Sequence, residues 1–197
     1  MDIPLNATVL CRDGEGGHSA CVIIDPIKDQ MTHLVVKGKG ILSPDHLVPI
    51  HFIIETSEDR ITLSCLLADL AKMEPFTEAE FLPYSISGGY AWPYFSSAEA
   101  AGILLEHERI PVNELAIHRG DAVLASDGVI GRVDGFIIDP ATDSICYLIM
   151  REGHFWGQKD VTIPVSQINR IVSESVYLKI TKKQIEGLPA VPVKWGK

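Results

Sequence analysis

The sequence predicts a mainly β protein made of two small tandem β-barrels, each ending in a short helix and joined by a long ordered connector. Three observations carry that expectation. Residues 127–164 are a recognisable second copy of residues 13–49. Each copy alternates short apolar runs with turn chemistry, and the residues between the copies are rich in aromatic side chains.

Internal similarity at a fixed offset defines architecture before local propensity does. Asp127-Gly128 matches Asp13-Gly14, and Asp139-Pro140 matches Asp25-Pro26. The run Val133 to Ile138 falls on Ser19 to Ile24, and Tyr147-Leu148-Ile149-Met150-Arg151 falls on His33-Leu34-Val35-Val36-Lys37. After one added residue, Ile163-Pro164-Val165 matches Val48-Pro49-Ile50, and Val176-Tyr177-Leu178 matches Ile61-Thr62-Leu63. Ile185 and Leu188 then answer Leu70 and Met73. The repeat divides the chain into a first unit at 1–76, a connector at 77–117 and a second unit with a C-terminal tail at 118–197.

Within each copy, Asp-Gly offers a residue that enters left-handed conformations cheaply, and Asp-Pro fixes a reversal through the proline ring and the Asp side chain. Between these turns lie β-branched and aliphatic runs of strand length. Short strands at near-regular spacing predict a small barrel, which hides unpaired backbone groups by closing its edges. Leu66 to Lys72 and Thr181 to Glu186 read as the brief helices that end the units.

The pattern Gly128-Val129-Ile130-Gly131-Arg132-Val133, then Phe136-Ile137-Ile138-Asp139-Pro140, Tyr147-Leu148-Ile149-Met150-Arg151 and Val161-Thr162-Ile163-Pro164 resembles a PRC-barrel domain. That family occurs in the cytoplasmic part of the photosynthetic reaction-centre H subunit, in the C-terminal half of a ribosome maturation factor, and in small stand-alone bacterial proteins. The first copy is more divergent, with Gly16-Gly17-His18-Ser19 where the second has Ile130-Gly131-Arg132-Val133. The resemblance implies a fold and contact with an unidentified protein partner; it does not imply a reaction.

Composition narrows the classes further. The apolar fraction of 46% with 22% charged residues is ordinary for a globular chain. Met1-Asp2-Ile3-Pro4 lacks the basic and apolar regions of a signal peptide, and no apolar run approaches the roughly 18 residues of a membrane-spanning helix. A cytoplasmic protein is the default expectation. The net charge of −9 is unevenly distributed: 6 Lys/Arg against 11 Asp/Glu in 1–76, 1 against 6 in 77–117, and 10 against 9 in 118–197. Phosphate backbones need a positive surface that releases counterions, so direct nucleic-acid binding is disfavoured, with Lys179, Lys182 and Lys183 as its best foothold.

Cys11, Cys21, Cys65 and Cys146 form no Cys-x-x-Cys pair, and the first three align with Ala125, Gly135 and Ile180. Small or apolar counterparts argue for buried thiols acting as hydrophobes, with Cys11 and Cys21 on neighbouring strands and near enough to oxidise. His18, His33, His46 and His51 lack convergent spacing, so no metal site is expected. No nucleophile motif, zinc motif or phosphate loop occurs, so neither a cofactor nor an enzymatic reaction is expected.

The candidate partner-binding residues lie in loops. Arg151 to Lys159 holds His154, Phe155 and Trp156, and the matching loop from Lys37 to Asp45 holds Ile41 and Leu42. Adjacent apolar pairs at loop tips need cover, from their own barrel mouth, from the other barrel or a second subunit, or from an outside protein. The connector holds six of the fourteen aromatics, among them Tyr90, Trp92 and Tyr94, which disordered linkers do not do. It is expected to wrap across the barrels through these rings, with a short helix over 98–106 begun by Ser96 or Ser97. The functional expectation is a non-enzymatic binding or assembly module. A ribosome- or RNA-processing accessory protein and a small-molecule- or lipid-responsive barrel are the alternatives, and a homodimer is compatible with each.

Overall fold

The computed structural model describes residues 1–39, 43–83, 102–152, 159–172, 174–189 and 191. In chain order the first unit contains β1 (Asp2–Pro4), β2 (Thr8–Cys11), β3 (Gly14–Asp25), β4 (Gln30–Lys37), β5 (His46–Pro49), β6 (Ile53–Ser57), β7 (Arg60–Leu63) and α1 (Leu67–Leu70). Next come β8 (Thr77–Pro83) and β9 (Gly102–Glu108). The rest holds β10 (Leu115–His118), β11 (Ala122–Ala125), β12 (Gly128–Asp139), β13 (Ser144–Glu152), β14 (Lys159–Pro164), β15 (Ile168–Val172), β16 (Ser175–Leu178) and α2 (Lys182–Glu186). The protein is mainly β.

The two copies fold pair for pair alike. β2 joins β7 in parallel through Val9 opposite Ile61, and β11 joins β16 in parallel through Val123 opposite Val176. Asp13 accepts the Leu67 amide at 2.8 Å, and Asp127 accepts the Lys182 amide at 3.0 Å. The aspartate of each Asp-Gly turn therefore satisfies a donor that the start of a helix leaves unpaired. Asp29 and Asp143, matching turn residues, both adopt positive φ, at 52° and 57°. Asp enters that conformation more readily than most other non-glycine residues.

The expectation of two separate closed barrels needs a correction. The strands instead form one branched fourteen-stranded sheet, ordered β15-β16-β11-β12-β13-β4-β3-β2-β7-β6, and its pairings describe no closed ring among the described residues. The cause is a reciprocal exchange of the first short strand of each copy. β1 pairs with β12, setting Ile3 opposite Phe136, and β10 pairs with β3, setting Ile117 opposite Val22. Ile3 and Ile117 are matching repeat positions, as are Phe136 and Val22. Each unit thus completes the other.

A second reciprocal contact joins the units where β4 meets β13. Gln30 stands opposite Ser144, the Met31 amide donates to the Asp143 carbonyl at 3.0 Å, and the Ile145 amide donates to the Asp29 carbonyl at 2.8 Å. One hydrophobic cluster accordingly runs through both units, including Ile3, Leu34, Ile61, Ile117, Phe136, Leu148 and Ile163. A second cluster of Cys21, Ile23, Val35, Leu47 and Phe76 covers the opposite face of β3 and β4. Burial on both faces accounts for the continuous apolar run Cys21-Val22-Ile23-Ile24, which alternation alone would not produce.

In the connector, Thr77–Pro83 and Gly102–Glu108 pair antiparallel as a separate two-stranded sheet, anchored where the Arg109 amide donates to the Phe76 carbonyl at 2.6 Å. Residues 102–106 are therefore strand rather than the second half of a helix. Seven paired positions tie the two segments together, whereas an isolated short helix carries an unfavourable nucleation step. No helix among the described residues is long and apolar enough to cross a membrane.

Candidate functional site

A cleft of about 550 Å³ lies in the first unit. β4 contributes His33 and β5 contributes Leu47 and Pro49; Phe52, Ser64, Cys65, Asp69, Lys72, Met73 and Glu74 complete its wall. The Leu47 amide donates to the Glu74 carbonyl at 2.8 Å and the Phe76 amide to the Asp45 carbonyl at 2.7 Å, so residues 74–76 run along the outer side of β5. That pairing brings Glu74 to the same cleft as His33. The cleft combines apolar walls with groups of both signs, a lining suited to a small amphipathic ligand.

His33 is oriented by its neighbours. The Thr32 hydroxyl lies 2.7 Å from Glu114 Oε2, and His33 Nδ1 lies 3.0 Å from the same hydroxyl. Assigning the hydroxyl proton to the carboxylate makes Nδ1 the protonated ring nitrogen and Nε2 an acceptor. Burial holds the His33 pKa below its ordinary value, and His51 adds to that, while Glu114 and Glu74 oppose it. With a depressed folded-state pKa, the histidine contributes stability that is present above the unfolded value of about 6.5 and lost as pH falls through the folded one. His33→Tyr, which copies the matching Tyr147, is therefore expected to flatten the fall in Tm between about pH 7 and pH 5. Equal slopes for wild type and variant in thermal melts would show that another group controls this window.

The second unit carries a different polar cluster. Asp134, with a side chain only 10% exposed, receives Arg119 at 3.0 Å and Arg151 at 2.7 Å. The Arg132 guanidinium donates to the Gly120 carbonyl at 2.8 Å. Leu5, Ala20 and Lys37 stand at the places in the first unit that correspond to Arg119, Asp134 and Arg151, so this network belongs to one copy alone. Because Asp134 is enclosed and bonded on both oxygens, the two arginines tie the β10–β11 turn and the C-terminal end of β13 to the middle of β12 rather than forming a loose surface pair.

Asp121, the residue two places beyond Arg119, accepts the His118 amide at 2.9 Å. Burial raises its pKa, against the lowering effects of that amide bond and of His118. His118 Nε2 also lies 2.9 Å from Glu108 Oε1, tying β10 to the root of the β8–β9 sheet. Among the described residues, no group of three or more His, Cys, Asp or Glu side chains could hold a metal ion.

All eight expected partner-binding residues, Ile41, Leu42, Tyr90, Trp92, Tyr94, His154, Phe155 and Trp156, lie outside the described residues. What is described is the position of the strand ends that carry two of these segments. β4 and β13 meet at their N-terminal residues, Gln30 and Ser144, and run antiparallel. Their C-terminal ends, Lys37 and Glu152, consequently lie at opposite ends of the central strand pair.

Sequence reasoning missed the cleft and the Asp134 cluster, although the repeat contained their signal. Phe52, Cys65, Lys72 and Glu74 replace Gln167, Ile180, Gly187 and Pro189, a concentration of differences within otherwise matching frames. The expected proximity of Cys11 to Cys21 is also corrected. Cys11 Sγ instead lies 3.9 Å from Cys65 Sγ, because β2 pairs with β7 in parallel and carries the two thiols onto one face. Cys21 faces the other cluster.

Comparison with curated proteins finds no match to this chain. The family model of the PRC-barrel domain matches residues 118–185, the stretch from the end of β10 to α2, so the chain carries a PRC-barrel domain in its second unit.

Proposed function

We propose that this protein is a non-enzymatic protein-binding or assembly module built from two PRC-like units, the first a divergent copy of the second. The observation that carries the reading is the reciprocal exchange of β1 and β10, with the antiparallel meeting of β4 and β13. Together they make a single-core platform whose two equivalent loop roots point away from each other. Interlocked strands resist relative motion of the units, and a rigid base lowers the ordering cost of any loop contact made with a partner. Phe155 and Trp156 at one end, and Ile41 and Leu42 at the other, are the proposed anchors. Tyr90, Trp92 and Tyr94 form a third proposed contact.

The test is a pull-down from bacterial lysate with the wild type beside a Phe155→Ala, Trp156→Ala variant, after the melting curves of the two proteins have been compared. A protein retained by the wild type and reduced at least tenfold by the variant supports the reading, since a buried aromatic anchor contributes about 2 kcal/mol or more. Equal capture by both excludes the second-unit loop as the docking surface. Loss of the variant's folded baseline assigns Phe155 and Trp156 to the core instead.

A pocket of about 220 Å³ supports the small-molecule-responsive alternative. Ile24, Ile117, Phe136, Ile145 and Ile168 form its apolar part, while Arg170 and Lys179 supply its cationic groups. Thermal stabilisation by medium-chain carboxylates, absent with the matching alcohols, would favour that alternative over the assembly reading.

A further inference from the structure

We propose that Cys11 and Cys65 form a reactive dithiol, in which small disulfides entering the first-unit cleft are reduced as the two cysteines become linked. The proposal stands on two thiols held 3.9 Å apart, one of which lines an open cleft, and does not depend on the protein-binding reading. All four cysteines are free.

The backbone is already arranged for such a bond. The Arg12 amide donates to the Cys65 carbonyl at 3.0 Å, so the segments that carry the two cysteines are hydrogen-bonded neighbours, and a small side-chain rotation has to close the 3.9 Å between the sulfurs to the roughly 2 Å of a disulfide. The second unit repeats the frame, with the Ser126 amide donating to the Ile180 carbonyl at 2.9 Å, yet fills it with Ala125 and Ile180. An apolar pair therefore satisfies the same packing. The thiols are a feature added to one copy.

Access separates their roles. Both residues are buried, Cys65 at 4% and Cys11 at 6% exposure, but Cys65 forms part of the cleft wall and Cys11 does not; Cys11 Sγ lies with Leu70 and Leu67 beside Gly16. The Cys65 thiolate attacks one sulfur of a small disulfide RS–SR, forming a mixed disulfide and releasing RS⁻, which takes up the proton lost by Cys65. The Cys11 thiolate then attacks the Cys65 sulfur, the second RS⁻ leaves with the Cys11 proton, and the Cys11–Cys65 bond forms. Two cysteine thiols are oxidised and one disulfide is reduced to two thiols, with no further oxidant. Burial, reinforced by Cys65, pushes the Cys11 pKa up to about 12. The second step is therefore slow near neutrality and quickens about tenfold per pH unit.

The experiment uses full-length protein carrying Cys146→Ser, which removes the partly exposed thiol of β13, and 2-hydroxyethyl disulfide as the probe. After reaction, free thiols are alkylated in denaturant and mapped by mass spectrometry. The expected result is a Cys11–Cys65 link with Cys21 still alkylated, and a Tm raised by roughly 10 °C from closing a long loop. Cys11→Ala, copying Ala125, should accumulate the mixed disulfide on Cys65, and Cys65→Ala should leave Cys11 unmodified. Recovery of Cys11 and Cys65 as free thiols in the parent overturns the proposal. So does a link involving Cys21, or a Cys65 adduct that persists while Cys11 is present.

Discussion

Gly17→Ala is expected to abolish folding or leave a protein destabilised by about 4 kcal/mol or more, a loss visible as insoluble expression or collapse of the urea midpoint. Two effects combine at this glycine. Its φ of +143° is a conformation that L side chains rarely adopt, and a Cβ there would come 1.9 Å from the Lys37 carbonyl oxygen. That oxygen belongs to the paired strand β4, so relief would require separating β3 from β4. The matching Gly131 faces the matching Arg151 carbonyl, whose oxygen would lie 2.6 Å from an added Cβ, so the close approach is built into both copies. Gly120→Ala supplies the comparison. Gly120 has φ of +92° with nothing within 4 Å of the added carbon, so only the backbone penalty remains, about 1 kcal/mol. Similar midpoints for the two variants would mean that the strand contact is not what makes Gly17 necessary.

Ile3→Ala and Ile117→Ala are expected to cost about 3 kcal/mol each, the ordinary consequence of truncating a fully buried aliphatic side chain. Both isoleucines are 0% exposed and sit opposite matching partners, Phe136 and Val22. A three-residue strand near a chain end would ordinarily tolerate truncation, because termini tend to be loosely held. Here Ile3 lies in the hydrophobic cluster that runs through both units. Denaturant unfolding of the two variants should therefore give similar losses and a single transition. A loss below about 0.5 kcal/mol for Ile3 would place β1 outside the cooperative core.

Much of this fold was legible because the chain states it twice. Strand positions, the Asp-Gly and Asp-Pro turns and the short closing helices follow from runs whose local chemistry agrees with their final environment. The exchange of β1 and β10 was not legible. Ile3 and Ile117 are recognisable as core residues, but nothing in an isoleucine tells which of two similar units receives it. The same ambiguity misdirected the cysteine reading, since sequence proximity favoured Cys21 while parallel pairing of β2 with β7 brought Cys65 to Cys11. At 102–106 the sequence suggested the end of a helix begun by Ser96 or Ser97, and the distant segment 77–83 decided otherwise. The cleft residues were visible only as differences between copies, which register as divergence until the fold gathers them on one wall.

The exchanged strands also set a schedule for folding during synthesis. The hairpin of β3 and β4 is complete once the chain has emerged through Lys37, but the place beside β3 for Leu115–His118 stays unfilled until the chain has grown through the connector. At roughly 5–20 residues per second, that interval is on the order of ten seconds. β1 waits longer still, for Gly135–Ile137. Throughout the delay the apolar edge Val22-Ile23-Ile24 has no native partner, an opportunity for a chaperone or for the same edge of a neighbouring nascent chain.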